Sequence, residues 1–350
     1  STSIFKPTHK SWQQSKQMEH LLKGLALAIS PFILSWLLTK LAITIMPRLG
    51  FSAVSNSRSS HQGVVASGGG IGFVLSITIG VSILYRMGQM ETSLYVGLIG
   101  ACVFTALVGL VDDRVGLSPA IKLACHGLAA FWAIGWLGIA EIQIFNWMIT
   151  NWWLAAALFF VGCLWLTNLY NFMDGTDGLA ATQAILVLLF FPFVADHHSL
   201  GVLLIVLLAM LGFLPHNWPK AKIFMGDVGS GFLGILFACL ILASSSLAVP
   251  IWCWVILLTT FWVDTTYTLL IKKLNGVALA QAHNQHLYQK LARKFGNHKK
   301  LLFLNSAIVV LWLYPLAYMA FLWPAWGIAL SLVAAIPTLV MCIRFKAGKA

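Results

Sequence analysis

Long apolar runs separated by short polar connections dominate this chain, and they leave few architectures open. A run of about 20 apolar residues is long enough to cross the hydrocarbon core of a bilayer. It must cross as a helix, because lipid offers no partner to an unpaired backbone N–H or C=O. Such runs fall at approximately 22–45, 69–85, 93–111, 120–139, 148–167, 179–195, 200–214, 230–247, 250–271, 301–321 and 326–343. The expected fold is an all-α polytopic membrane protein with about eleven transmembrane helices. Composition excludes a soluble globular chain: 59% of the 350 residues are hydrophobic and 9% are charged, against roughly 45–50% and 25% in soluble domains.

Alternating crossings divide the connections between two sides of the membrane. Those near 46–68, 112–119, 168–178, 215–229 and 272–300, with the tail from Arg344, carry 15 of the 22 Lys and Arg residues. By the positive-inside rule that side is cytoplasmic. Lys6, Lys10, Lys16 and Lys23 pull the first span the other way, and the later, more numerous loops outweigh them. The net charge of +12 then answers to anionic headgroups rather than to nucleic acid. Membrane lipids are expected partners, and nucleic acid is not. All six cysteines lie in apolar stretches without a CxxC pair, so neither a disulfide framework nor a zinc site is indicated. Residues 1–20, polar and without an initiator Met, read as an N-terminal extension that is in part vector-derived or processed, and 21–350 as one transmembrane domain.

Five of the ten acidic residues fall on the basic side, at span ends: Asp112, Asp113, Asp174, Asp177 and Asp227. Each alone could be a solvated loop residue; the grouping points to a site. Asp112 and Asp113 end the third span, where the helix dipole disfavours negative charge, so other groups must hold them. Asp174 and Asp177, in NLYNFMDGTDGL, are three residues apart and each precedes a Gly, so one turn can present both. Asp227, in KIFMGDVGSG, opens the eighth span, where N–H groups point at a ligand. Hard carboxylate oxygens beside helix N-termini and cations are the parts of a magnesium and phosphate site. Lys122, one turn behind the cap Ser118 and Pro119, is the best-placed cation for phosphate, because an unpaired ammonium within a span is expensive. Arg114, Lys220 and Lys222 flank the acids. The loop HQGVVASGGGIG, with Gly68 and Gly69, either breaks a helix or offers backbone N–H groups to an anion. In AQAHNQHLYQ, His283, His286 and Gln289 share one face if the segment is helical.

Together these motifs resemble the polyprenyl-phosphate N-acetylhexosamine-1-phosphate transferase family (glycosyltransferase family 4). The resemblance covers roughly residues 46–300, in order: the glycine-rich loop, VDDRVGLSP, NLYNFMDGTDGL, NWPKAKIFMGDVGSG and AHNQHLYQ. It implies a cytoplasmic active site on ten or eleven helices in a bacterial inner membrane. The implied reaction moves a sugar 1-phosphate from a UDP-sugar to polyprenyl phosphate and releases UMP, with Mg²⁺, or alternatively Mn²⁺, as cofactor. Motif match implies that Asp112 and Asp113 sit near the lipid phosphate, with Asp113 also a metal ligand, and that Asp227 is the main metal ligand. Asp174 and Asp177 would belong to the catalytic loop. Lys122, Asn168, Asn171, Phe224, His283, His286, Gly68 and Gly69 would contact substrate, Phe224 by stacking on uracil. The implied partners are the UDP-sugar and the polyprenyl phosphate, with a homodimer as the candidate assembly. The last two motifs look closest to the O-antigen branch, whose AHRSHxYQ is changed here at Asn284 and Gln285; a three-histidine version marks the peptidoglycan translocases. A rival from another class is an ion-coupled transporter, for which Asp264, inside the ninth span, is the residue most suited.

Overall fold

The computed structural model describes residues 29–54, 64–145, 147–195, 197–277 and 284–349. His283 and Asp196 lie outside the described residues. An apolar helix stands at each run read from the sequence: α1 (Ile29–Ile45), α2 (Ile71–Arg86), α3 (Thr92–Val115), α4 (Pro119–Leu137), α5 (Trp152–Met173), α6 (Leu179–Phe190), α7 (His197–Asn217) and α8 (Asp227–Leu242), then the later helices. α9 (Ile251–Leu257) and α10 (Thr259–Leu274) follow, then the short amphipathic α11 (Leu287–Phe295), α12 (His298–Ile308), α13 (Tyr314–Leu322) and α14 (Gly327–Arg344). Among the described residues six helices are long and apolar enough to cross a membrane, or up to seven with α9–α10 as one bent span, where about eleven were expected; four others are apolar but shorter. The chain is thus an all-α polytopic membrane protein.

Local chemistry explains the helix boundaries. Ser118 Oγ accepts from Ile121 N–H (3.3 Å) ahead of Pro119, and Asn151 Oδ1 accepts from Leu154 N–H (3.0 Å); both satisfy N–H groups that a helix start leaves open. The run expected as one span over 250–271 is instead bent by 67° between α9 and α10. Buried Gln183 Nε2 donates to the Leu257 carbonyl at 2.8 Å, satisfying a group near that break. α12 passes into α13 through a π-helical turn, Val309–Leu313, just before Pro315. Proline has no N–H to continue the ladder, and the wider turn absorbs that loss.

α8 is the axis of the bundle. It is buried along nearly its whole length and is flanked by α3 and α5. The approach depends on small residues, as helix packing in lipid generally does. A Cβ on Gly234 would lie 2.5 Å from Thr167 Cα on α5, and one on Gly109 would collide with the Asp227 backbone. Two short hairpins, which the hydropathy pattern does not show, lie in the connections: β1 (Ser52–Val54) with β2 (Val64–Ala66), and β3 (Gln143–Ile144) with β4 (Trp147–Met148). Exposed Trp147, Trp152, Trp153, Trp323 and Trp326 cluster around the second hairpin, as aromatics do at a membrane interface. The acidic motifs lie at the other end of the bundle.

Candidate active site

Four helix ends converge there. Lys122, in the first turn of α4, donates to Asp112 Oδ2 at 2.7 Å and to Asp227 Oδ2 at 3.0 Å. The ammonium therefore ties the last turn of α3 to the first residue of α8. Asp112 also accepts from Leu117 N–H at 2.6 Å. Its neighbour does something different: Asp113 Oδ1 accepts from Asp227 N–H (2.9 Å) and Oδ2 from Val228 N–H (3.1 Å). The negative C-terminal end of α3 thus carries one acid compensated by Lys122 and another by the positive N-terminus of α8. Asp113, expected as a metal ligand, is engaged as a cap supplied by a different helix. Gly226, at φ +75°, makes this fit: a Cβ there would lie 2.5 Å from Asp113 Oδ2.

Asp174 caps the C-terminus of α5, and its carboxylate accepts no hydrogen bond among the described residues. Burial holds its carboxyl well above the usual carboxylate range, and the charges of Asp227, Asp113 and Asp177 push the same way. Four carboxylates, Asp112, Asp113, Asp174 and Asp227, thus lie close together, and among the described residues Lys122 is the one ammonium hydrogen-bonded to any of them, reaching Asp112 and Asp227. Hard oxygens in excess of positive charge suit a divalent cation of the Mg²⁺ type. Among the described residues no three His, Cys, Asp or Glu side chains form a ready metal cage. That is compatible with Mg²⁺, which commonly takes one or two carboxylates and completes its shell with water and substrate phosphate. Asp227 and Asp174 are the residues that would hold it.

Other residues expected at the site are held by partners within the protein. Asp177, expected as catalytic, is 3% exposed; Ala221 N–H donates to its Oδ2 at 3.2 Å and His298 Nδ1 lies 3.4 Å from the same oxygen. It pins the 218–226 segment and the start of α12. Gly69, read with Gly68 as a possible anion cradle, donates to Phe224 O (2.9 Å) instead, and the next residue, Gly70, donates to Met225 O (2.8 Å). A Cβ on Gly69 would lie 2.8 Å from Ile223 Cγ1, so these glycines exist for close backbone packing. Gly68, at φ +81°, makes the turn before them. Phe224 is held half-buried by its own N–H to Ala66 O at 2.9 Å, three positions before Asp227. Asn171 Nδ2 donates to Ser230 Oγ on α8 (3.2 Å), while Asn168 Nδ2 turns back to Leu164 O on its own helix (2.7 Å).

The AHNQHLYQ motif meets the site through His286. Its ring, 3% exposed, stacks with Phe172 (centroids 6.1 Å apart) and Tyr288 (5.8 Å), and Nδ1 lies 3.5 Å from Asp264 Oδ1. Asp264 repeats the role of Asp113: Leu287 and Tyr288 N–H donate to its two oxygens at 2.8 and 3.0 Å, and Thr268 Oγ1 donates at 3.1 Å. The acid that best suited a transporter is therefore the satisfied cap of α11. Tyr288 Oη donates to Phe172 O at 2.9 Å, over Gly175, docking α11 on the end of α5.

Sequence reasoning did not single out Asn217. Only 2% exposed, it accepts from Gly178 N–H at 3.0 Å and donates to Ile223 O at 3.0 Å, joining the two acidic loops. An amide ending an apolar helix was its one sequence signal.

Glycosyl transferase family 4 matches residues 94–245, which contain Asp112, Asp113, Lys122, Asp174 and Asp227. A probable undecaprenyl-phosphate N-acetylglucosaminyl 1-phosphate transferase of Bacillus subtilis is 28% identical over 275 residues, 74% of this chain and 76% of that protein. An undecaprenyl-phosphate alpha-N-acetylglucosaminyl 1-phosphate transferase of Thermotoga maritima is 29% identical over 279 residues, 78% of this chain and 84% of its own. A phospho-N-acetylmuramoyl-pentapeptide-transferase of Streptococcus agalactiae is 29% identical over a shorter stretch of 163 residues, 42% of this chain and 48% of that one. With the acidic and basic motifs gathered at one end of an apolar bundle, these matches show that the chain belongs to the polyprenyl-phosphate hexosamine-1-phosphate transferases, glycosyl transferase family 4.

Proposed function

We propose that the protein transfers a sugar 1-phosphate from a UDP-sugar to polyprenyl phosphate at the cytoplasmic face of a bacterial inner membrane. The observation that carries this reading is the Asp112–Lys122–Asp227 bridge beside Asp174, a charged centre where apolar helices end. A charged lipid head and a soluble nucleotide meet only at such a boundary. A phosphate monoester is largely dianionic near pH 7, so the acceptor needs positioning and charge neutralisation more than a strong base. An acceptor oxygen attacks the sugar-bearing phosphorus in line, the bond to the bridging oxygen breaks, and UMP leaves with that oxygen. Lys122 neutralises phosphate, Asp112 orients it, and Phe224 offers its ring to uracil. Mg²⁺ held by Asp227 and Asp174 would supply Lewis-acid charge stabilisation.

The names of the Bacillus and Thermotoga relatives support an N-acetylglucosamine 1-phosphate donor. AHNQHLYQ, which has two histidines rather than three, favours that class over a muramoyl-pentapeptide. Initiation of a lipid-linked glycan such as O-antigen is the role this chemistry serves. The test is UMP release by purified protein with polyprenyl phosphate across UDP-sugars, with and without EDTA. Release from UDP-N-acetylglucosamine that EDTA abolishes is the expected result; no release with any UDP-sugar overturns the reading.

A further inference from the structure

The turn after α14 reaches back to the AHNQHLYQ segment at several independent points. Gly348 N–H donates to Gln285 O at 2.9 Å, directly beside His286. Lys290 Nζ donates to two carbonyls of the same turn, Lys346 O at 2.9 Å and Lys349 O at 2.8 Å. Lys294 places its ammonium 4.6 Å from the Phe345 ring centroid, within cation–π range. The turn is itself specified in detail. Ala347 is fully buried and its N–H returns to Cys342 O at 2.9 Å, while Lys346 (φ +52°) and Gly348 (φ +77°) adopt left-handed backbone. Gly348 sits so close to α10 that a Cβ there would lie 2.7 Å from Thr268 O and 2.8 Å from Ile271 Cβ.

Thr268 is the residue that donates to Asp264, and Asp264 holds the start of α11. The turn therefore braces both sides of one small assembly: the backbone just before His286, and the helix that carries the cap. On the opposite flank Arg293 Nη2 donates to Asn284 O at 2.7 Å. Residues 284–286 lie outside regular structure, ahead of α11; a ligand-contacting segment of that kind loses affinity through its own conformational freedom, and a brace removes that cost before the ligand arrives.

We propose that residues 345–349 form a positioning strap for residues 284–290, setting affinity for the nucleotide-sugar donor while leaving the chemical step and the lipid acceptor alone. The inference rests on the reading of His286 as part of the donor side of a sugar-1-phosphate transferase. None of the strap residues reaches the Asp112–Lys122–Asp227 centre. Lys290 is the working contact, because one ammonium gathers two carbonyls that have left the helical ladder.

The experiment is steady-state kinetics of UMP release, varying donor and acceptor separately, for Gly348→Val, Lys290→Met, Lys290→Arg and His286→Ala. Hydrogen exchange of the peptide covering 284–290 is followed in the same samples. In both Gly348→Val and Lys290→Met the donor KM should rise roughly tenfold with kcat and the acceptor KM changed less than about twofold, a pattern of lost ground-state binding. Exchange at 284–290 should accelerate, and Lys290→Arg, which keeps the donor groups, should restore both readouts. Should Gly348→Val fail to fold, the Lys290 pair carries the test. If His286→Ala raises the donor KM but Lys290→Met does not, the strap is overturned while the reading of the site stands. If neither variant moves the donor KM, the reading of this motif falls and the strap falls with it.

Discussion

Lys122 concentrates the argument about charge. Its ammonium meets two carboxylates from sequence-distant helices, and no hydrophobic substitute could hold both without leaving buried acids uncompensated. Lys122→Met is therefore expected to lower kcat by at least about a hundredfold, on the order of 2.7 kcal/mol of transition-state stabilisation. Asp227→Asn, which keeps shape and removes charge, should nearly abolish turnover in protein that extracts and elutes normally; retained Mg²⁺-dependent turnover would refute its assignment. Asp174 allows a test with a sign. Its carboxyl is raised above the ordinary value, so the folded state holds the proton more tightly than the unfolded chain does. Its contribution to stability is then intact below the ordinary carboxylate pKa and is lost as pH rises through the higher folded value. In metal-free buffer Asp174→Asn should accordingly melt higher than the native protein near neutral pH. The difference should shrink toward pH 4 and on adding Mg²⁺, while turnover is lost throughout. Melting curves at both pH values, with EDTA or Mg²⁺, check this, and a lower Tm for the variant at neutral pH would contradict it.

Between single residues and the bundle lies a device used twice, in which a carboxylate on one helix receives the first two N–H groups of another. Asp113 does this for α8 and Asp264 for α11. Each joins two helices directly, and each occupies a helix start whose N–H groups are unpaired by construction of the helix. An amide has one acceptor oxygen and cannot serve both N–H groups as well. Asp264→Asn should destabilise the protein by roughly 1–3 kcal/mol, the range for leaving buried polar groups poorly satisfied. Because Asp264 lies away from the Lys122 centre, its effect on turnover should appear through the placement of His286, with weaker donor binding exceeding any fall in kcat. Thermal unfolding beside donor and acceptor kinetics separates the two; an unchanged Tm would show that the cap contributes nothing. The same reasoning explains why the run at 250–271 could not be read as one straight helix. Its bend is accompanied by Gln183 reaching the Leu257 carbonyl from α6, a partner 74 positions away.

The whole molecule is polarised, with its charged centre at one end and its exposed tryptophans at the other. By the positive-inside rule we propose that the charged end faces the cytoplasm. A cysteine introduced at position 297, beside the start of α12, should be shielded from impermeant reagents in intact cells, and one at 89, after α2, should react. The reverse pattern would invert the orientation. Both positions rest on the same long-wavelength property, the distribution of Lys and Arg between alternate loops, so the prediction is independent of any site residue.

Helices and candidate acids were legible because both are local. Apolarity summed over about 20 residues decides whether a segment can lie in lipid, and Asp112, Asp174 and Asp227 announce themselves as rare charges at the ends of such segments, the last two beside glycines. What each acid does was not legible. Adjacent Asp112 and Asp113 have the same chemistry and the same helical environment in sequence, yet one binds Lys122 and the other caps α8, whose start is 114 positions further on. Asp177, spaced from Asp174 like a catalytic partner, is committed to Ala221 and His298, and Asp264, isolated in an apolar run, to α11. The order of polar and apolar residues is enough to require a helical membrane bundle with an acidic end. The assignment of each carboxylate to a cation, to a helix start or to no described partner depends on which helix ends meet in space, because an unpaired N–H or ammonium binds whichever oxygen packing delivers within about 3 Å.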